Sequence, residues 1–286
     1  MGMTEITIGP LALPTAMLVA FGAILLGAAL ANRIARGDGV NVEPTLWLVI
    51  AIAVLAARAV FASQYWSQYA AEPWRLLDLR DGGFRPAAGL AAALIAGAWL
   101  GGRQPHQRKP VLAGVAAGAL LWVAGTVAFS LYPSSASLPE LTLADLTGKA
   151  VPLSAFAGKP VVLNLWASWC PPCRREMPVL EQAQRSTPTV AFVFANQGES
   201  AEKVTAYLKA ESLTLQNMLL DPAGSVAAAA NAPGLPTTLF FDATGKLVER
   251  RMGELSPATL AQRLERLLEV PGAPASMPNQ TTRELQ

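Results

Sequence analysis

No charged side chain occurs between Gly9 and Ala31. A helix needs roughly 20 apolar residues to cross a hydrocarbon layer about 30 Å thick, so this stretch reads as a membrane span over about 11–32. A cleavable secretion signal fits less well, because the positive n-region is missing and the run exceeds an h-region of about 7–15 residues. Three further apolar stretches follow at about 46–66, 86–102 and 111–132. Each is expected to be helical, since a backbone in lipid must satisfy its own hydrogen bonds. Residues 1–132 are therefore expected to form a four-span domain with membrane lipid as its surroundings.

Composition supports this division. The chain is 52% hydrophobic and 15% charged, and the charges are spread evenly only after Ser137. Its net charge of +2 includes no basic block, so nucleic-acid binding finds no support. Arg33 and Arg36 follow the first span, and Arg103, Arg108 and Lys109 follow the third. Those loops are expected on the cytoplasmic side. The N-terminus and everything after Tyr132 then lie outside the cytoplasm, as in a multi-pass protein of the bacterial inner membrane with its C-terminal domain facing the periplasm.

Gly97 and Gly101, and likewise Gly114 and Gly118, repeat at a spacing that lets helices approach closely, so the third and fourth spans are expected to pack together. Arg58 lies inside the second span, where a charge usually faces the bundle interior. The stretch from Val54 to Arg103 resembles the central part of bacterial prolipoprotein diacylglyceryl transferase. It keeps Arg58, Pro73, Asp81, Gly82, Gly83 and Gly89, but Ala87 stands where that family has an essential histidine. His106 is the only histidine, in a loop assigned to the opposite side. The resemblance implies a degenerate relative that holds lipid or a partner without transferase chemistry.

After a short connector at 133–140, elements alternate. Lys159–Trp166 and Thr189–Asn196 read as buried parallel strands, with a helix from about Pro171 to Arg185 between them. Ala201–Ala210 reads as a helix and Asn217–Leu220 as a weaker strand. Thr237–Asp242 and Lys246–Gly253 read as a hairpin, and Pro257–Leu268 as a final helix after Ser256. This order indicates an α/β sandwich with a mixed sheet over 141–270. The proline-rich residues 271–286 are expected to be disordered.

The only two cysteines, Cys170 and Cys173, sit in the sequence WASWCPPCRREMP. A zinc site usually takes four ligands, and the one histidine is distant, so no metal is expected. A purely structural disulfide closing so small a loop removes little chain entropy. A redox pair fits better, because the motif follows a strand and opens a helix, whose N-terminus stabilises thiolate at Cys170.

From about Pro139 to Val270 the chain resembles the membrane-anchored thioredoxin-like reductases of the TlpA, ResA and cytochrome c maturation group. The pieces that carry this are VVLNLWASWCPPCRREMPVL, Asp221-Pro222 with Gly224, and GLPTTLFFD. The resemblance implies a thioredoxin-like fold with Cys170 as the exposed attacking sulfur and Cys173 as the resolving one. It implies that Pro236 is a cis proline facing the redox-active disulfide. Trp169, Pro171, Pro172 and Leu235 would form the surface that a substrate touches.

Asn164 occupies the position at which thioredoxin buries an aspartate, and an amide cannot take a proton. Glu176, three residues past Cys173 on the same helix face, is the expected proton relay for Cys173; the alternative is a solvated helix carboxylate. Pro171 and Pro172 lack N–H groups, so thiolate stabilisation should be moderate and the pair reducing. The expected function is thiol:disulfide exchange on envelope proteins such as apocytochrome c or metal-site assembly proteins, with no cofactor. The apolar half has no cysteine, so a separate transmembrane electron donor is implied. The alternatives are a lipid enzyme of the transferase type and a non-catalytic redox sensor or scaffold.

Overall fold

The structure, a computed structural model, describes residues 5–8, 11–70, 72–131 and 136–269. The expected tail at 271–286, the start of the expected connector at 133–135 and the end of the expected fourth span at 132 lie outside the described residues. The chain divides into two compact units, Met1–Ser134 with Met252–Ala261, and Ser135–Arg251 with Gln262–Gln286.

In the first unit, strands β1 (Glu5–Ile8) and β2 (Leu11–Pro14) pair antiparallel ahead of helix α1 (Thr15–Gly37). The span expected from about residue 11 thus begins later. Pro14 disfavours helix in the residue before it, which leaves Leu13 extended and the helix free to start at Thr15. Next come α2 (Glu43–Gln64), the single turn α3 (Trp66–Tyr69), α4 (Pro86–Arg103) and α5 (Pro105–Ser130). The last begins before the expected residue 111 and holds Pro110 within its second turn, at the loss of one helical hydrogen bond.

By length and apolar character, Met17–Gly37, Glu43–Gln64 and Pro105–Ser130 suffice to cross a membrane. The 18-residue α4, expected as the third span, is not among them. Its alanines and glycines carry less apolar surface than the leucines and isoleucines of α1 and α2.

Gly97 faces the Val115 side chain, so α4 and α5 do pack together. Gly114 and Gly118, however, face α1. A Cβ on Gly114 would lie 2.7 Å from the Gly27 carbonyl oxygen, and one on Gly118 would lie 3.1 Å from that of Ala23. Spacing of small residues signals a close backbone approach without naming the helix that makes it.

The second unit is built on a seven-stranded sheet in the order β4-β3-β7-β6-β5-β8-β9. Its strands are β3 (Thr142–Asp145), β4 (Ala150–Pro152), β5 (Val161–Trp166), β6 (Ala191–Gln197), β7 (Met218–Asp221), β8 (Thr237–Phe241) and β9 (Leu247–Met252). β6 runs parallel to β5 and to β7, whereas β8 runs antiparallel to β5. Every residue of β5 and β6 is buried, as expected for central strands covered on both faces. The helices are α6 (Pro171–Ser186), α7 (Ala201–Ala210), α8 (Ser225–Ala229) and, from Gln262 onward, α9 (Pro257–Glu269).

Side chains alternate along β5. Val161, Leu163 and Leu165 join Val193, Leu219, Leu239 and Val226 in one core. Asn164 therefore points to the opposite face, together with its cross-strand partner Thr238 and with α6.

Candidate active site

Strand β5 ends at Trp166, and a turn through Ser168 and Trp169 delivers Cys170 to the N-terminus of α6. Cys170 is the N-cap residue, and Pro171 and Pro172 fill the first two helical positions. Prolines cost nothing there, because those N–H groups would have no intrahelical partner. The first available helix amide belongs to Cys173, and it donates to Cys170 Sγ at 3.3 Å. The two cysteines are joined, with sulfurs 2.11 Å apart and Cα atoms 5.2 Å apart. Cys173 is fully buried and Cys170 only 3% exposed, against the expectation of an exposed sulfur at 170. The bond to the buried partner draws that sulfur against the helix.

Trp169, 63% exposed, forms the outer side of the turn. Trp166 is buried and packs on Tyr207 with ring centroids 5.4 Å apart. Arg174 lies over the other ring of that pair, Tyr207, and forms an ion pair with Glu211.

Glu176 is fully buried, so the solvated alternative does not hold. Asn164 Nδ2 donates to Glu176 Oε1 at 2.8 Å and to Thr238 Oγ1 at 3.0 Å. Three elements thus converge on one buried polar cluster: β5 through Asn164, α6 through Glu176 and β8 through Thr238.

The Leu235–Pro236 peptide bond is cis. Leu165 pairs with Thr237, so Pro236 follows on the register opposite Trp166, at the sheet edge from which the cysteine turn departs. Pro236 is buried and Leu235 partly exposed.

One charged residue at this edge escapes sequence reasoning. Glu199, after β6, accepts from Ser168 N and Ser168 Oγ at 2.6 Å each, and from Asn196 Nδ2 and Lys203 Nζ at 2.8 Å. Burial opposes its charge, but the bonds from Asn196, Lys203 and Ser168 outweigh it and hold the carboxyl at about 2. Its only signal in the sequence is an acidic residue just past a buried strand, which is too common to single out.

In the first unit, Arg58 is buried with all five of its N–H donors engaged. Nε reaches the Leu76 carbonyl, Nη1 reaches Asp81 Oδ1 and the Gly83 carbonyl, and Nη2 reaches the Arg75 and Asp78 carbonyls, at 2.8–3.1 Å. Tyr69 donates to the second oxygen of Asp81 at 3.2 Å. Gly83 has no room for a side chain, since a Cβ there would meet Phe61 at 2.3 Å and Arg58 at 2.6 Å. Ala87 lies in the first turn of α4.

Comparison with known proteins bears on the second unit. The Redoxin family model matches residues 133–265. Over 131 residues the chain is 33% identical to the thioredoxin-like protein YneN of Bacillus subtilis, covering 44% of this chain and 76% of that protein. It is 28% identical over 160 residues to the thiol-disulfide oxidoreductase ResA of Bacillus cereus, covering 52% and 92% respectively. A thiol:disulfide interchange protein of the thioredoxin family from Chlorobium tepidum is 25% identical, with 46% of this chain and 95% of that one covered and a TM-score of 0.42. With its cysteine pair bonded at the head of a helix on a mixed sheet, the chain belongs to the thioredoxin-like family of thiol-disulfide oxidoreductases.

Proposed function

We propose that the chain is a membrane-anchored reductase that works outside the cytoplasm on disulfides of envelope proteins, apocytochrome c and metal-site assembly proteins among them. The observation that carries this reading is the Cys170–Cys173 disulfide at the start of α6 with the buried Glu176 one turn further along. In the reduced chain, Cys170 thiolate attacks one sulfur of a substrate disulfide, and the other leaves as a thiolate that takes up a proton. Glu176 accepts the proton of Cys173, whose thiolate then attacks Cys170 Sγ. This releases the second substrate thiol and leaves the Cys170–Cys173 disulfide. Two electrons have passed to the substrate, and a separate membrane dithiol donor must return them, because no glutathione pool keeps thiols reduced in that compartment.

Pro236 and Leu235 serve as the backbone edge against which an extended substrate lies, with Trp169, Pro171 and Pro172 as its rim. Only one of the first three residues of α6 has an amide to offer the thiolate, which favours a reducing pair over a strongly oxidising one. Basic residues at the C-terminal end of α1 (Arg33, Arg36) and around the α4–α5 junction (Arg103, Arg108, Lys109) support an extracytoplasmic second unit. A lipid-transfer role for the first unit is disfavoured by Ala87 and by Arg58, whose donors are committed to the protein's own carbonyls and to Asp81.

The test is a Cys173→Ala chain expressed in cells and trapped with acid. An envelope protein should be recovered disulfide-linked to Cys170, and tags on the second unit should be reachable from outside. A cytosolic tag, or full-length chain that reduces no protein disulfide in detergent, would overturn the reading.

A further inference from the structure

β5 and β6 end side by side, with Trp166 opposite Asn196. The crevice beyond the carboxyl ends of such parallel strands is where folds of this class handle ligands. Two loops leave this edge: one runs through Ser168 and Trp169 into Cys170, and the other through Gly198 and Glu199 into α7. Gly198 has φ +75, a left-handed conformation that L side chains rarely adopt, and it turns the chain so that Glu199 comes back beside Asn196.

Glu199 joins the two loops. Its side chain is 2% exposed, and two of its four donors come from Ser168, the backbone N–H and the hydroxyl. Bonds to an ionised acceptor are roughly twice as strong as neutral ones, and here they are short. The turn they hold is closed by its own Cys170 N to Ala167 O bond at 3.2 Å, and Cys170 itself is tied to α6 through its disulfide and through Arg174 N, which donates to its carbonyl at 3.1 Å. Beyond that turn stand the exposed Trp169 and the sulfur of Cys170. An anchor at Ser168 therefore fixes the direction in which both are presented.

We propose that Glu199 is a positioning residue which, by gripping Ser168, holds the Trp169–Cys170 turn in the orientation that a protein disulfide meets. The inference rests on the oxidoreductase reading and adds to it a residue on a different loop, 29 positions beyond the nucleophile. The low carboxyl pKa of Glu199 accords with this, since the grip stays charged across the neutral range.

The experiment compares full-length chain in detergent with Glu199→Asp, Ser168→Ala and the double variant, using insulin as substrate and dithiothreitol as electron source. Glu199→Asp keeps the charge but withdraws the carboxylate by one methylene. KM is expected to rise about tenfold in Glu199→Asp and about threefold in Ser168→Ala, with kcat per folded molecule changing less. The double variant should match Glu199→Asp alone, because one link is already cut. Exchange of the Ser168 amide hydrogen should quicken in Glu199→Asp.

Loss of kcat at unchanged KM would mean that Glu199 only stabilises the fold, and effects that multiply in the double variant would mean the two residues act apart; either overturns the proposal. Ser168 exchange that stays slow in Glu199→Asp overturns it whether or not insulin is reduced. An unmodified chain that reduces no insulin, yet shows Ser168 exchange quickened by Glu199→Asp, would sink the reductase reading and leave the grip itself in evidence.

Discussion

Asn164 and Glu176, 12 residues apart in sequence, meet in the interior of the second unit, where the amide of the first donates to the carboxylate of the second at 2.8 Å. Neither is exposed. The amide supplies a donor that never titrates, so of this pair only the carboxyl of Glu176 can take up a proton, as the proposed relay for Cys173 requires.

Asn164→Asp should therefore be costly. It sets two carboxyl groups within hydrogen-bond distance, and like charges that close cannot both ionise. One carboxyl would then keep its proton well above the ordinary carboxylate range in the folded chain. Such a raised group gives its full stability below the unfolded pKa and loses it as pH rises through the folded one. Urea unfolding should show the variant about 2–4 kcal/mol less stable at pH 8 and recovering toward pH 4.

Glu176→Gln preserves the shape and still accepts from Asn164, but it cannot take a proton. Resolution of a Cys170 mixed disulfide by Cys173 should slow about a hundredfold at neutral pH, in line with loss of a general base. Its pH profile should move to that of an unassisted thiol. Stopped-flow release of a labelled peptide from Cys170 measures both, and an unchanged profile would remove Glu176 from the mechanism.

Glu199 makes a prediction for acid stability. Its carboxyl is held at about 2 in the folded chain against an ordinary 4.5, so the folded state binds this proton later than the unfolded one. Its contribution is complete above roughly pH 4.5 and fades as pH falls toward about 2. Because the Lys203 ammonium is exposed and screened, we take the contribution as about 2 kcal/mol. Urea midpoints should show Glu199→Gln weaker by that amount at pH 7 and close to the parent near pH 2.

Gly83→Ala should loosen the first unit. The added methyl falls on the buried ring of Phe61 and on the Arg58 guanidinium, which is held by five acceptors and has nowhere to go. Overpacking of this kind costs about 1–3 kcal/mol. Thermal unfolding in detergent should start several degrees lower, whereas Gly102→Ala, where nothing lies within 4 Å, should not.

What the sequence determined by itself is everything carried by local pattern. Ala201–Ala210 is helical over the range its periodicity indicates, and Ser200 caps it by accepting from Lys203 N. The unbroken apolar runs of β5 and β6 could lie only at the centre of a covered sheet. The two cysteines, placed where a strand gives way to a helix, stand so close along the chain that no tertiary contact is needed to bring them together. β4 at the sheet edge and its neighbour β3, only three and four residues long, were not legible, because neither carries an apolar run such as the Met218-Leu219-Leu220 of β7.

Tertiary structure decided the rest. The sequence places Glu176 on the Cys173 face of its helix, but its full burial beside Asn164 follows only once α6 lies on the face of the sheet that carries Asn164. Gly114 faces α1 rather than α4, although the spacing fits either. Four of the five acceptors around Arg58 are backbone carbonyls, which every residue possesses and no sequence distinguishes. Glu199 reaches Ser168 only because two parallel strands end at the same height. In each case the deciding quantity is the distance between groups far apart along the chain, and packing alone sets that distance.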